Sequence, residues 1–236
     1  MSNPYFRFKQ FTVWHNRCAM KTGTDGTLLG AWANVDACRN ILDVGTGTGL
    51  IALMLAQRNK KAQIDGIDID PDACLQASEN VSSSPFAEQI RIHCVSFQTF
   101  AEKINQRYDL IISNPPYFIQ SLKSPESKRN MARHDENLSY KELIKLSRPL
   151  LAPDGRLALI LPFQQKNDVM ELANANQLYC IRQTTVYPTA HIPPKRLLIE
   201  FSCLLPSLCE TTDLILEDQF HQRSQAYQDL MRAFYL

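Results

Sequence analysis

No stretch of the 236 residues is apolar for long enough to cross a membrane. The first ten residues are polar and aromatic, with no apolar core of the kind a secretory leader needs. Neither charge sign dominates: 25 Lys and Arg stand against 24 Asp and Glu. Affinity for a polyanion must therefore come from local patches rather than from the whole surface. The seven cysteines (Cys18, Cys38, Cys74, Cys94, Cys180, Cys203 and Cys209) contain no C-x-x-C pair. Most have apolar neighbours, which favours buried free thiols in a reducing compartment over disulfides or zinc. No metal site is expected. No repeat, low-complexity tract or long linker interrupts the chain. These absences predict a cytoplasmic protein with no membrane segment and no stable protein partner. They also predict a single domain spanning 1–236, with an arm over 1–39, a core over 40–203 and a tail over 204–236.

What the sequence does contain is organised around residues 108–118, Tyr-Asp-Leu-Ile-Ile-Ser-Asn-Pro-Pro-Tyr-Phe. The apolar run 110–112 suits a strand buried on both faces of a parallel sheet. Pro115 and Pro116 then fix φ and remove two N–H donors, and Pro115 restricts Asn114 to extended backbone. The result is a stiff corner at a strand's carboxyl end, where open α/β sheets bind ligands. An amide, a free carbonyl at Pro115 and the Tyr117 ring meet there. A flat amine can donate its two N–H groups to those oxygens and stack on Tyr117. Phe118 offers a second apolar wall.

Upstream, 40–44 reads as a buried strand, followed by Gly45-Thr46-Gly47-Thr48-Gly49 and then Leu50, Ile51, Met54 and Leu55 at helical spacing. Such a loop lets backbone approach a ligand and aims helix N–H groups at it. Leu50 stands where a dinucleotide fingerprint wants its third glycine. With Asp43 two residues ahead, G-x-G-x-G instead suits a nucleoside bearing an amino-acid tail. Residues 64–68 form the second strand, whose terminal Asp68 can accept from both ribose hydroxyls, with Ile69 beside it. Asp70 precedes Pro71 and reads as the N-cap of a helix over 71–81. A third strand, 90–95, ends at Ser96 and Phe97, the corner that flanks the nucleoside base.

Residues 120–137 are polar and without period, and basic residues outnumber acidic ones across 120–148. A loop this long beside the Asn-Pro-Pro-Tyr corner points to function. Ser139 and Glu142 form a capping box for a helix to about residue 151. A turn at Pro153-Asp154-Gly155, a strand over 156–161 and a helix over 164–176 follow. Two further strands, 180–186 and 197–203, flank a stiff basic connection, 191–196. His191 reads as a surface histidine. Residues 222–236 suit a terminal helix docking Tyr227, Leu230, Met231 and Phe234.

Taken together, the glycine loop, the acid ending the second strand and the later strand pair resemble the class I S-adenosylmethionine-dependent methyltransferases. That resemblance implies an α/β, Rossmann-like fold: a seven-stranded, mostly parallel, doubly wound sheet with its last strand antiparallel. Asn114-Pro115-Pro116-Tyr117 is similar to the branch that methylates amino groups. Residues 18–26 (Cys-Ala-Met-Lys-Thr-Gly-Thr-Asp-Gly) and 28–32 resemble the bacterial valine tRNA adenine-37 N6-methyltransferase family. So do Ala132-Arg133-His134-Asp135, Leu138-Ser139-Tyr140 and the terminal Phe234-Tyr235-Leu236. The resemblance implies tRNA as substrate and S-adenosylmethionine as cofactor. It assigns catalysis to Asn114, Pro115 and Tyr117. It assigns cofactor binding to Asp43, Gly45, Gly47, Gly49, Asp68, Ile69, Ser96, Phe97 and Asn114. Lys21, Thr24 and Asp25 would close over the methionine end, and Lys128, Arg129, Arg133, Lys195 and Arg196 would contact RNA.

Other readings share parts of this pattern. A protein glutamine N5-methyltransferase of the release-factor type uses Asn-Pro-Pro-Tyr but carries a helical N-terminal domain, whereas only 40 residues precede Ile41. A DNA adenine methyltransferase needs a groove-reading domain. An inactive RNA-binding module need not keep Gly45, Gly47, Gly49, Asp68 and Asn114 together.

Overall fold

Strands built from unbroken apolar runs need cover on both faces, and the helices between them supply it. The computed structural model describes residues 3–17, 23–116, 138–218 and 222–235. Its elements are β1 (Tyr5–Arg7), β2 (Thr12–Trp14), α1 (Thr24–Trp32), β3 (Asn40–Val44), α2 (Leu50–Arg58), β4 (Gln63–Asp68), α3 (Pro71–Ser82), β5 (Ile90–Cys94), α4 (Phe97–Lys103) and β6 (Tyr108–Ser113). They continue with α5 (Tyr140–Leu150), β7 (Leu151–Pro162), α6 (Lys166–Ala175), β8 (Tyr179–Tyr187), β9 (Arg196–Ser202), β10 (Glu210–Ile215) and α7 (Gln225–Met231).

An eight-stranded sheet runs in the order β10-β8-β9-β7-β6-β3-β4-β5. Strands β3 to β7 pair in parallel, and β9 inserts antiparallel between β7 and β8. The expected seven strands are present, the seventh antiparallel. The correction is an eighth, β10, parallel to β8. Its burial pattern leaves all but Leu214 exposed, because it is an edge strand. A run such as Glu-Thr-Thr-Asp therefore shows no apolar signal. The two apolar clusters divide by face. One joins α1, α2 and both chain ends to the sheet, with Phe8, Val13, Leu29, Met54 and Phe234 at its centre. The other packs α4, α5 and α6 against Leu42, Ile111, Leu159 and Phe201.

One local expectation also needs correction: strand β7 begins at Leu151 and passes through the 153–155 turn as an irregularity in its pairing with β6. The arm itself holds regular structure, since β1 and β2 form an antiparallel hairpin that sends Val13 into the core and leaves its partner strand largely exposed. Helix α1 follows from Thr24. The helix-start signals hold. Asp70 caps α3 by accepting from the Asp72 N–H, and Ser139 and Glu142 close the capping box of α5. Tyr227, Met231 and Phe234 are buried as the terminal helix docks. His191 is exposed. The six described cysteines are free thiols, but only Cys38 and Cys74 are buried, against the expectation of burial. Cys94 is exposed, and the other three are half-buried in β8 and in the connection between β9 and β10.

Candidate active site

The carboxyl ends of β3, β4, β5 and β6 surround a cavity of about 350 Å³. Each wall continues directly from a strand. Val44, Gly45 and Gly47 follow β3, and Asp68, Ile69 and Asp70 follow β4. Val95, Ser96, Phe97 and Gln98 follow β5, while Ser113, Asn114, Pro115 and Pro116 follow β6. The exception is Leu138, which reaches the cavity from just ahead of α5.

The glycine loop is held by its own backbone. The N–H groups of Gly45 and Thr46 both donate to the Ile67 carbonyl at 2.9 Å, and Gly49 N–H donates to the Thr46 carbonyl at 2.9 Å. Gly45 and Gly47 have φ of +72° and +56°, a region glycine occupies without strain. Nothing lies within 4 Å of where their Cβ atoms would stand, so the loop presents bare backbone to the cavity. Gly49 faces α3 instead, against Ala77.

Asp68 ends β4 with its carboxylate already oriented. Oδ2 accepts from Gly47 N–H at 2.8 Å and Oδ1 from Asp70 N–H at 3.0 Å. Each oxygen keeps a further lone pair for a hydroxyl. Asp43 is fully buried behind the loop and accepts from Thr46 Oγ1 at 2.7 Å through Oδ2. Its Oδ1 has no hydrogen-bond partner among the described residues. Burial pushes its pKa up to about 7, against the lowering effects of Thr46 and of the Ala52 amide in the first turn of α2; Asp68 adds to the rise. Ser96 caps α4, accepting from Thr99 N–H, and its hydroxyl also donates to Thr99 Oγ1 at 3.0 Å. At β6 the Ser113 hydroxyl ties the strand end to the Val44 carbonyl at 2.8 Å. Pro115 is buried and Asn114 half-buried.

The structure thus brings Gly45, Gly47, Asp68, Ile69, Ser96, Phe97, Asn114 and Pro115 to one cavity. Thr24 and Asp25 border separate cavities on other sides of α1. Arg196 Nε meets Asp25 Oδ2 at 2.8 Å, and Lys195 lines the same groove. Lys21, Tyr117, Lys128, Arg129 and Arg133 lie outside the described residues. Sequence reasoning missed Asn80. Its buried amide accepts from Trp14 N–H through Oδ1 and donates through Nδ2 to the carbonyls of Trp14 and Thr48, all at 2.9 Å. It clasps the N-terminal hairpin to the glycine loop, a link between segments that no spacing announces.

A glycine loop after the first core strand, an acid ending the second and an Asn-Pro-Pro corner after the fourth, on a sheet of this order, define a Rossmann-like methyltransferase. The family model described as methyltransferase small domain matches residues 22–185. The chain is 53% identical to the tRNA1(Val) (adenine(37)-N6)-methyltransferase of Parabacteroides distasonis, covering 100% of this chain and 99% of that protein. It is 47% identical to the protein of the same name from Bacteroides fragilis, again over 100% and 99%. Among solved structures, a predicted O-methyltransferase of Agrobacterium tumefaciens shares the fold, with a TM-score of 0.69 at 18% identity over 89% of this chain and 96% of that one. The chain belongs to the methyltransferase small domain family, alongside the relatives named tRNA1(Val) (adenine(37)-N6)-methyltransferase.

Proposed function

We propose that this protein, acting as a single cytoplasmic domain, methylates N6 of adenine 37 in a tRNA1(Val), with S-adenosylmethionine as donor. The observation that carries the reading is the Asn114-Pro115-Pro116 corner opening into the cavity that Gly45, Gly47 and Asp68 also line. The cavity suits the cofactor. The bare backbone of Gly45 and Gly47 leaves room a side chain would fill. Asp43, buried behind that loop with its Oδ1 unpartnered among the described residues, would attract the cofactor's cationic sulfur. Asp68 would take the ribose hydroxyls, and Ile69, Ser96 and Phe97 would flank the nucleoside base. When bound, the cofactor supplies a methyl group on a positively charged sulfur.

The acceptor amine is a weak nucleophile because its lone pair is delocalised into the adenine ring. Donating its two N–H groups to Asn114 Oδ1 and the Pro115 carbonyl would draw them out of the ring plane and return density to nitrogen. Tyr117 would stack on the extruded base. No strong base is needed, since the product nitrogen is positively charged and gives its proton to water. Lys195 and Arg196, with Lys128, Arg129 and Arg133, would meet phosphates. The test is mass spectrometry of nucleosides after incubating unmodified tRNA1(Val) with protein and cofactor. N6-methyladenosine at position 37 is expected, and its absence there would overturn the reading.

A further inference from the structure

Three surroundings meet the first turn of α1. Gly26 faces the corner after β6: a Cβ there would stand 3.9 Å from Asn114 Nδ2 and 3.1 Å from Leu50 Cδ2. Asp25 and Leu28 face the groove at the start of β9. Thr24 and Thr27 face a cavity of about 280 Å³ walled by Phe6, Tyr227, Tyr235 and Arg223. Residues from both ends of the chain therefore build a pocket against the same helix turn whose Gly26 faces the proposed catalytic amide.

Its walls are flat. The Phe6 and Tyr235 rings stand 5.7 Å apart at 53°, and the Arg223 guanidinium lies 4.9 Å from the centroid of Tyr227. Planar groups around a void suit a planar guest, because aromatic rings and guanidinium planes both stack on nucleobases. Phe6 stays 40% exposed beside Phe8 and Val13, which are buried almost completely. Polar edges are present too. Tyr235 Oη donates to Thr27 Oγ1 at 3.4 Å, and Tyr227 Oη donates to Tyr235 Oη at 3.2 Å, so hydroxyls border the rings. Arg223 is paired with Glu217 at 2.9 Å, so its charge is offset locally, and with one face over Tyr227 it has the opposite face to offer.

We propose that this cavity is a second nucleotide site that stacks a base adjacent to the methylated adenine in the same RNA strand. The inference rests on the tRNA reading above. Taking one adenine out of its stack exposes the faces of its neighbours, and a platform for one of them holds the strand in register. Since the site works by stacking and its arginine is already paired, its contribution should depend little on salt, unlike that of Lys195.

The experiment is a cycle between protein and RNA. Wild type and Phe6→Leu, which keeps apolar bulk but removes the ring, are titrated by fluorescence anisotropy at two salt concentrations. The RNA is an anticodon stem-loop, either intact or with a single abasic nucleotide at each position flanking the target. For wild type, one flanking abasic position should weaken binding by roughly tenfold, the scale of one stacked base. Phe6→Leu should lose most of that penalty at that position and no other, equally at both salts, while Phe6→Tyr restores it. An abasic profile that is the same for Phe6→Leu and wild type, or an equal loss at every position, overturns the site. Methylation of the intact stem-loop by wild type separates the failures. If wild type methylates it and the profiles coincide, only the second site is wrong. If wild type methylates no tRNA, the activity and this inference fall together.

Discussion

The proposed cofactor cavity and the surroundings of α1 come close where Gly26 faces Asn114, yet they are built in opposite ways. Every wall of the cavity except Leu138 follows from a strand end, and its loop is fixed by hydrogen bonds from its N–H groups to the Ile67 carbonyl and the Asp68 carboxylate of β4. The two cavities beside α1 share Thr24 and Arg223; Phe6 and Tyr235 complete one and Lys195 and Arg196 the other, and ring packing and two ion pairs hold them. Strand ends in a buried sheet have little freedom, so they suit groups that must sit accurately against a reacting atom. Side chains from termini and connections adjust more readily and suit the holding of a long, irregular substrate.

If that division is right, removing the corner amide should damage chemistry and spare binding. Asn114→Ala should lower kcat on the order of a hundredfold, the scale of one polar transition-state contact, while RNA affinity stays close to that of wild type. Single-turnover methylation beside equilibrium RNA binding checks this. An equal loss in both would dissolve the distinction between the two regions.

Asn80 is where the regions are joined, so it tests how separate they are. Asn80→Ala leaves the Trp14 N–H and the Thr48 carbonyl without the partner they now have. A stability loss of about 1–3 kcal/mol is expected in urea unfolding, the cost of stranding buried polar groups. Because Thr48 belongs to the glycine loop, cofactor affinity measured by calorimetry should fall as well. Stability lost with affinity unchanged would show that the hairpin does not steady the loop.

How far each region was legible in the sequence follows from the same difference. Asp43, Gly45, Gly47, Asp68 and Asn114 could be placed because strand, turn and helix signals lie within a few residues of each. Asp70 was separable from Asp68 because Pro71 marks it as a cap. The groove was not legible, since Phe6, Arg196 and Tyr235 approach α1 only through tertiary packing. Strand β10 was hidden by its exposed, polar edge, and the β1–β2 hairpin by strands of three residues, too short to show a period. The family resemblance assigns Asp25 to the cofactor and Arg196 to RNA, whereas the structure joins them as one ion pair.

Asp43 offers a smaller test, confined to the cavity. Its folded pKa, raised by burial to about 7 from 3.8, means the folded state holds a proton more tightly than the unfolded chain. Its contribution is thus complete below the unfolded value and is lost as pH rises through about 7. Without cofactor, stability should increase by roughly 1 kcal/mol as pH falls from about 8 to 6. Asp43→Asn should remove that dependence. A positively charged ligand favours the ionised carboxylate, so cofactor affinity should rise over the same interval as pH increases. Denaturant titrations and calorimetry across that range read both slopes, and parallel slopes in wild type and variant would remove Asp43 from the account.

The smallest effect belongs to the groove. The side chains of Arg196 and Asp25 are 31% and 22% exposed, so their pairing contributes no more than about 1 kcal/mol to stability. A double-mutant cycle with Asp25→Asn and Arg196→Gln should return a coupling in that range, falling as salt rises. The greater consequence is for RNA. Arg196 already faces a carboxylate, whereas Lys195 is exposed beside it. Lys195→Gln should therefore flatten the salt dependence of RNA binding more than Arg196→Gln does, because the Arg196 charge is already offset by Asp25 and displaces less counterion from a phosphate. Asp25→Asn frees the guanidinium from its ion pair and should steepen that slope and tighten binding at low salt. A slope unchanged in all three variants would place the phosphate contacts elsewhere and leave the Asp25–Arg196 pair as a brace between α1 and β9.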